Sequence, residues 1–183
     1  MLPIKSEELK NLEEKVQSAL EHYSPFRVDQ EVKTALHLLS RLKKHNPKTY
    51  VESLQVGLKT KEILESAVIT LKIPEVLAIT SHLPRTGTYG GLLHDIGKVG
   101  MPKEILDKAY SRTEEYTIKD HEIMKSHPQI GYEILMKHGL LVSAWIALLH
   151  HRRNLDDPYP LEIPPYPKKL SKDTISHIEF STR

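Results

Sequence analysis

With 183 residues, 39% of them hydrophobic and 27% charged, the chain has the composition of a folded globular domain and not of a disordered tail. Its formal net charge of +2 is too small for binding a nucleic-acid polymer, which needs many clustered cations, but leaves room for a small phosphorylated ligand. The absence of cysteine excludes a disulfide framework, a thiolate metal site and a thiol nucleophile, so any metal must sit on His, Asp or Glu.

Taken in chain order, Ser6 to Tyr23 carries Leu9, Leu12, Val16 and Leu20 at the spacing of one helical face, with Ser6 as N-cap. Asp29 to Lys44 repeats the pattern through Val32, Leu36, Leu39 and Leu42, and the segment His45 to Pro47 ends it. Thr49 to Leu71 is a third helical stretch, and Pro74 opens a shorter one that stops before Pro84. A Gly-rich segment, Gly87 to Gly91, leads into the apolar run Leu92 to Val99. Pro102 suits the first position of a short helix ending near Lys108, because its missing N–H has no partner there in any case. Thr117 and Asp120 form a capping box that starts a helix toward Ser126. Pro128 permits another start through Ile134, and Leu140 to His151 is apolar almost all round, as in a helix buried in a bundle. Beyond Asp157, the prolines at 158, 160, 164, 165 and 167 forbid regular helix and give an extended loop. No segment reads as a strand.

The expected fold is therefore all-α, a helical bundle with a Pro-rich C-terminal loop. It reads as a single domain over 1–183, with N-terminal helices at 1–47, a core at 48–170 and a short tail at 171–183. The longest apolar run, Leu140 to Leu149, is about half of the roughly 20 residues that a membrane span requires, and the charged N-terminus does not resemble a secretory signal. A cytoplasmic location away from membranes is the expectation.

Several motifs fail on spacing. His121-Glu122 would need a second His at position 125 to make a zincin helix, and Lys125 stands there. Between Gly91 and Gly97 lie five residues where a phosphate loop has four, and Val99 replaces its Ser or Thr. Neither a dinucleotide fingerprint nor a nucleophile elbow is present.

What remains is an uneven distribution of the 11 histidines. His94, His127, His150 and His151 adjoin apolar segments, whereas His121, His138 and His177 read as surface residues. Any one of the four alone is better explained as a hydrogen-bonded core residue; four together point to a metal. Asp95 follows two leucines and His94, and a buried carboxylate costs several kcal/mol unless a cation is near. Lys98, four residues after His94, falls on the same helical face, where an ammonium can neutralise a substrate phosphate. Neutral imidazoles suit zinc, iron or manganese.

The block LLHDIGKV at 92–99, with MPKEILDK at 101–108, IMKSHPQIGYEIL at 123–135, ALLHHRR at 147–153 and DPYP at 157–160, resembles the HD superfamily of metal-dependent phosphohydrolases. The order of the blocks is similar to the HD-GYP subgroup, whose members hydrolyse cyclic di-GMP or related cyclic dinucleotides, and the resemblance covers roughly residues 48–170. It implies that His94, Asp95, His127, His150 and His151 bind divalent transition metals, two in number and of the iron or manganese kind. It also implies that Lys98 contacts the substrate phosphate, that Asp95 shares in catalysis, and that a metal-activated hydroxide attacks phosphorus. The implied partner is a small phosphorylated nucleotide.

Three departures mark this chain. YVESLQV at 50–56 places Glu52 where the subgroup has its first His ligand, and carboxylates bind the same hard ions. Arg152 replaces the acidic residue after the His pair, and the Gly before Tyr159 is missing. The subgroup also continues into a helix with a further ligand Asp, which this sequence does not reach before Arg183; Asp173 is a poor substitute by position. A degenerate module that binds metal, nucleotide or a protein partner without turnover is the alternative expectation, and a fragment of a longer enzyme the third.

Overall fold

A computed structural model gives the arrangement of the chain and describes residues 4–22, 30–71, 83–111, 113–167 and 172. The helix expected from Pro74 and the tail at 171–183, with Asp173 and His177, lie outside the described residues. Among those described there are eight α-helices, one 3-10 helix and no strand, so the fold is all-α. No helix among them is long and apolar enough to cross a membrane.

Two amphipathic helices come first: α1 (Ser6–His22) buries Val16, Ala19 and Leu20, and α2 (Gln30–His45) buries Val32, Ala35, Leu38, Leu39 and Leu42. The expected Leu9, Leu12 and Leu36 lie at the edge of the same apolar cluster. Next, α3 (Pro47–Leu71) starts two residues before the expected Thr49, because the buried Asn46 side chain accepts the Thr49 N–H at 2.8 Å and caps it.

The Gly-rich segment is not a lead-in but the body of α4 (Leu83–Leu93). Close approach of α3 and α4 explains the glycines: a Cβ on Gly91 would sit 3.0 Å from Gly57 Cα, and one on Gly57 only 2.4 Å from Leu92 Cγ. The apolar run does not continue the helix as expected. It ends at Leu93, His94 and Asp95 form a turn, and a 3-10 helix follows over Ile96–Gly100. Lys98 therefore bonds back to Asp95 three residues away, through its backbone N–H at 3.0 Å, and does not share a helical face with His94.

Short helices complete the bundle: α5 (Lys103–Tyr110), preceded by Pro102 as cap, and α6 (Ile118–Met124). The Thr117–Asp120 capping box forms, with Asp120 N–H donating to Thr117 Oγ1 at 3.2 Å and Thr117 N–H to Asp120 Oδ2 at 2.9 Å. Next comes α7 (His127–Lys137), closed by Gly139 at φ 74°, a left-handed position that lets Leu140 N–H reach Leu135 O at 3.0 Å. Finally α8 (Leu141–Leu149) is buried throughout from Ser143 to Leu149, which accounts for its all-round apolar sequence.

The main core joins α1, α2, α3, α4, α7 and α8 through residues such as Leu38, Leu54, Leu92, Leu135 and Ala147. A smaller cluster of Met101, Ile105, Leu106 and Met124 seats α5 against α6. The Pro-rich loop carries no helix over 158–167 but is packed down, with Tyr166 against Trp145 at 4.2 Å between ring centroids.

Candidate metal centre

The ends of three helices meet here: His94 and Asp95 in the turn after α4, His127 at the start of α7, and His150 and His151 just past α8. The turn can lie against α7 because residue 97 is glycine; a Cβ there would stand 1.8 Å from His127 O.

Three imidazoles are oriented by one repeated local bond. Nδ1–H of His94 donates to Gly91 O, that of His127 to Met124 O and that of His150 to Ala147 O, each at 2.7 Å and each three residues back. A carbonyl only accepts, so the proton is assigned to Nδ1 and the lone pair to Nε2. All three Nε2 atoms converge on Asp95: His94 at 3.4 Å from Oδ2, His127 at 3.2 Å and His150 at 3.5 Å from Oδ1. The Nε2 atoms of His127 and His150 face each other at 3.2 Å.

That donor set fits a metal cation. Asp95 Oδ1 is buried and has no hydrogen-bond partner, while Lys98 Nζ binds Oδ2 at 2.7 Å. An acceptor oxygen and bare imidazole nitrogens crowded together repel one another unless a cation lies among them, and backbone-anchored imidazoles beside a carboxylate suit first-row transition metals. Asp95, His127, His150 and His151 each offer a ligand atom, and these four atoms lie within 4.8 Å of one another.

Protonation favours the same use at Asp95, His150 and His151. Burial would raise the Asp95 carboxyl, but His94, then His127 and His150, outweigh it and hold the group well below the usual carboxylate range. Burial would lower His94, yet the Asp95 charge beside it and the bond to Gly91 raise it. Burial dominates at His150 and lowers it; at His151, burial together with the neighbouring His150 and His127 pushes the imidazole down to about 3. Both are neutral, the form that ligates metal.

Of the residues singled out in the sequence, the structure brings together Asp95, His127, His150 and His151, with His94 in contact with Asp95 but outside that set of four. Lys98 sits against Asp95. Glu52, on α3, is not one of the four: the Tyr110 hydroxyl at the end of α5 donates to its carboxylate and lies 3.0 Å from Thr49 Oγ1. Arg152, in place of the acidic residue after the His pair, ties the chain to the Pro-rich loop: its Nη1 donates to Pro160 O at 2.9 Å and Leu161 O at 2.8 Å.

Sequence reasoning missed five participants at the rim, among them Tyr110 beside Glu52. His121, read as a surface residue, donates from Nε2 to Asp157 Oδ2 at 2.7 Å, and Lys125 Nζ meets Asp157 Oδ1 at 3.0 Å. Tyr159 stacks on His151 at 4.5 Å and 20°. The DPYP block held the signal for Asp157 and Tyr159; nothing periodic marks Tyr110.

The HD domain family matches residues 64–175, well over half of the sequence, and the chain belongs to that family. Among curated proteins it is similar to the cyclic di-GMP phosphodiesterase response regulator RpfG of Xanthomonas campestris, 35% identical over 91 residues, covering 48% of this chain and 23% of that protein. A cyclic di-GMP phosphodiesterase of Thermotoga maritima is 43% identical over 75 residues, covering 39% and 19%. A cyclic di-GMP phosphodiesterase of Pseudomonas aeruginosa is 30% identical over 144 residues, covering 78% and 30%. The matched part thus spans less than a third of each of these relatives. No solved structure matches the chain significantly.

Proposed function

We propose that the chain is a single HD-type domain of the HD-GYP kind that hydrolyses a phosphodiester bond of a cyclic dinucleotide such as cyclic di-GMP. The observation that carries this reading is the convergence of three Nδ1-anchored imidazoles on Asp95, whose Oδ1 has no donor. The names of the relatives point to the same substrate class.

Asp95, His127, His150 and His151, with His94 beside them, would hold a divalent transition metal, iron or manganese in kind, and Glu52 would serve a second ion. When bound, such an ion supplies Lewis acidity toward water and a phosphoryl oxygen. Lys98 spends one of its three N–H donors on Asp95 Oδ2, which fixes the carboxylate and leaves Oδ1 to the cation. Its remaining donors are available to an anionic phosphoryl group, where a partly buried ammonium is worth more than in water. The buried carbonyl bonds hold each imidazole in its ligating tautomer while substrate enters and product leaves.

The test is to load the protein with Mn(II) or Fe(II), add cyclic di-GMP and follow the linear dinucleotide by chromatography. Product from the wild type, lost together with bound metal in His94→Ala and Asp95→Ala, is the expected result. Metal loss without any wild-type product rejects this substrate.

One observation favours a second reading, a module that binds nucleotide without turnover: the Glu52 carboxylate is engaged by Tyr110 and stands outside the set of four. Nucleotide binding by calorimetry with no product under either metal is its signature.

A further inference from the structure

His94, His127 and His150 are each oriented by a backbone carbonyl, but among the described residues no hydrogen bond fixes the His151 ring. What fixes it is ring packing: it lies tilted against His150 at 4.1 Å and edge-on to His127 at 5.1 Å, and Tyr159 stacks on it. The Tyr159 phenol lies parallel to the imidazole at 4.5 Å and 20°, and Tyr159 N–H reaches His151 O at 3.4 Å. Tyr159 is itself buried and also meets His127 edge-on at 6.3 Å. A stack orients a ring only as well as its partner is held, so the question becomes what holds Tyr159.

Two residues before it, Asp157 accepts from His121 Nε2 at 2.7 Å and pairs with Lys125 Nζ at 3.0 Å, the first in α6 and the second just past its end, on the way to His127. At the other side, Arg152 donates to the carbonyls of Pro160 and Leu161. The turn that carries Tyr159 is thereby pinned on both flanks. The side chains of His121 and Asp157 are 41% and 38% exposed, and exposed pairs contribute little to folding stability. A bond that ties the loop after His151 to the helix before His127 has its main consequence in the distance between those two imidazoles.

We propose that Asp157 is a positioning residue: by anchoring the loop to His121 and Lys125 it keeps Tyr159 stacked on His151 and so sets that imidazole for metal ligation. This rests on the metal-centre reading given above. It assigns to an aromatic stack the task that backbone carbonyls perform for the other three rings.

Titration of the apo protein with Co(II) chloride, read by its visible d–d absorption, tests the assignment. Asp157→Ala should weaken Co(II) binding about tenfold, as loss of an outer-shell partner does, and alter the band shape. His121→Ala, which removes the same bond from the other side, should reproduce this, and His121→Gln, which restores an N–H donor near the Nε2 position, should return the wild-type spectrum. The apo melting temperature should stay unchanged in all three, which separates positioning from stability. If His151→Ala changes affinity and band shape but Asp157→Ala changes neither, the assignment is overturned and the metal centre stands. Equal losses in His121→Ala and His121→Gln also overturn it. If His151→Ala changes nothing, the metal-centre reading itself is wrong.

Discussion

The imidazoles around Asp95 and the Glu52 carboxylate are held in different ways. His94, His127 and His150 each bond a carbonyl three residues earlier in their own segment, so helix ends and turns orient them. Glu52 accepts from the Tyr110 hydroxyl, 58 positions away along the chain, and that hydroxyl also meets Thr49 Oγ1. A locally anchored ligand keeps its direction as long as its helix end exists. One anchored by a distant side chain keeps it only while two helices stay docked, and the partner competes with a cation for the same oxygens.

The largest effect on this contrast should come from the backbone contact that joins the local parts. Gly97→Ala places a methyl 1.8 Å from His127 O and 2.5 Å from Gly131 N, both backbone atoms that cannot swing aside. We expect a loss of about 1–3 kcal/mol in chemical denaturation, together with weaker metal binding, because the turn bearing Asp95 must move off α7. The same substitution at Gly139, where nothing lies within 4 Å, would strain φ but leave metal affinity untouched. A Gly97→Ala protein with wild-type metal affinity would show that the turn and α7 are not rigidly coupled.

The intermediate effect is electrostatic. His151 has a folded-state value near 3 against an ordinary value of 6.5, so the unfolded chain takes up its proton first as the pH falls. The contribution of this group is therefore fully present above about 6.5 and is lost progressively down to about 3, which places the acid sensitivity of the apo protein in that window. Thermal melts of the metal-free protein across the window should fall with pH, and His151→Gln should flatten the slope. An unchanged slope would mean that the ring is open to water in solution.

These contrasts also explain what could be read from the sequence. The helical faces of α1 and α2 and the burial of α8 follow from apolar spacing, and the Thr117–Asp120 box from two residues three apart. The histidines at 94, 127 and 150 were legible because their placement depends on local chain geometry. What was not legible depended on pairs of segments. The glycines at 87–91 look like a loop until α3 lies against them, and the turn at His94 appears as a continuing helix until Gly97 meets α7. His121 looks like a surface residue because its partner, Asp157, belongs to a loop without periodicity.

The smallest effect should come from Tyr110→Phe. The ring and its packing remain, and only the hydroxyl that donates to Glu52 and meets Thr49 Oγ1 is lost. One hydrogen bond to a charged acceptor is worth about 1.5–3 kcal/mol when fully buried, and this part-buried pair should show the lower end in denaturation. The four-residue set does not use Tyr110, so the first equivalent of Co(II) or Mn(II) should bind with wild-type affinity. If Glu52 serves a second ion, freeing its carboxylate should strengthen a second, weaker equivalent, and Glu52→Gln in the same background should abolish it. Calorimetric titration of the three proteins separates the cases. A single equivalent in all of them would leave Glu52 as an interhelical acceptor for Tyr110, and would place the ligating capacity of the domain wholly on Asp95 and the imidazoles around it.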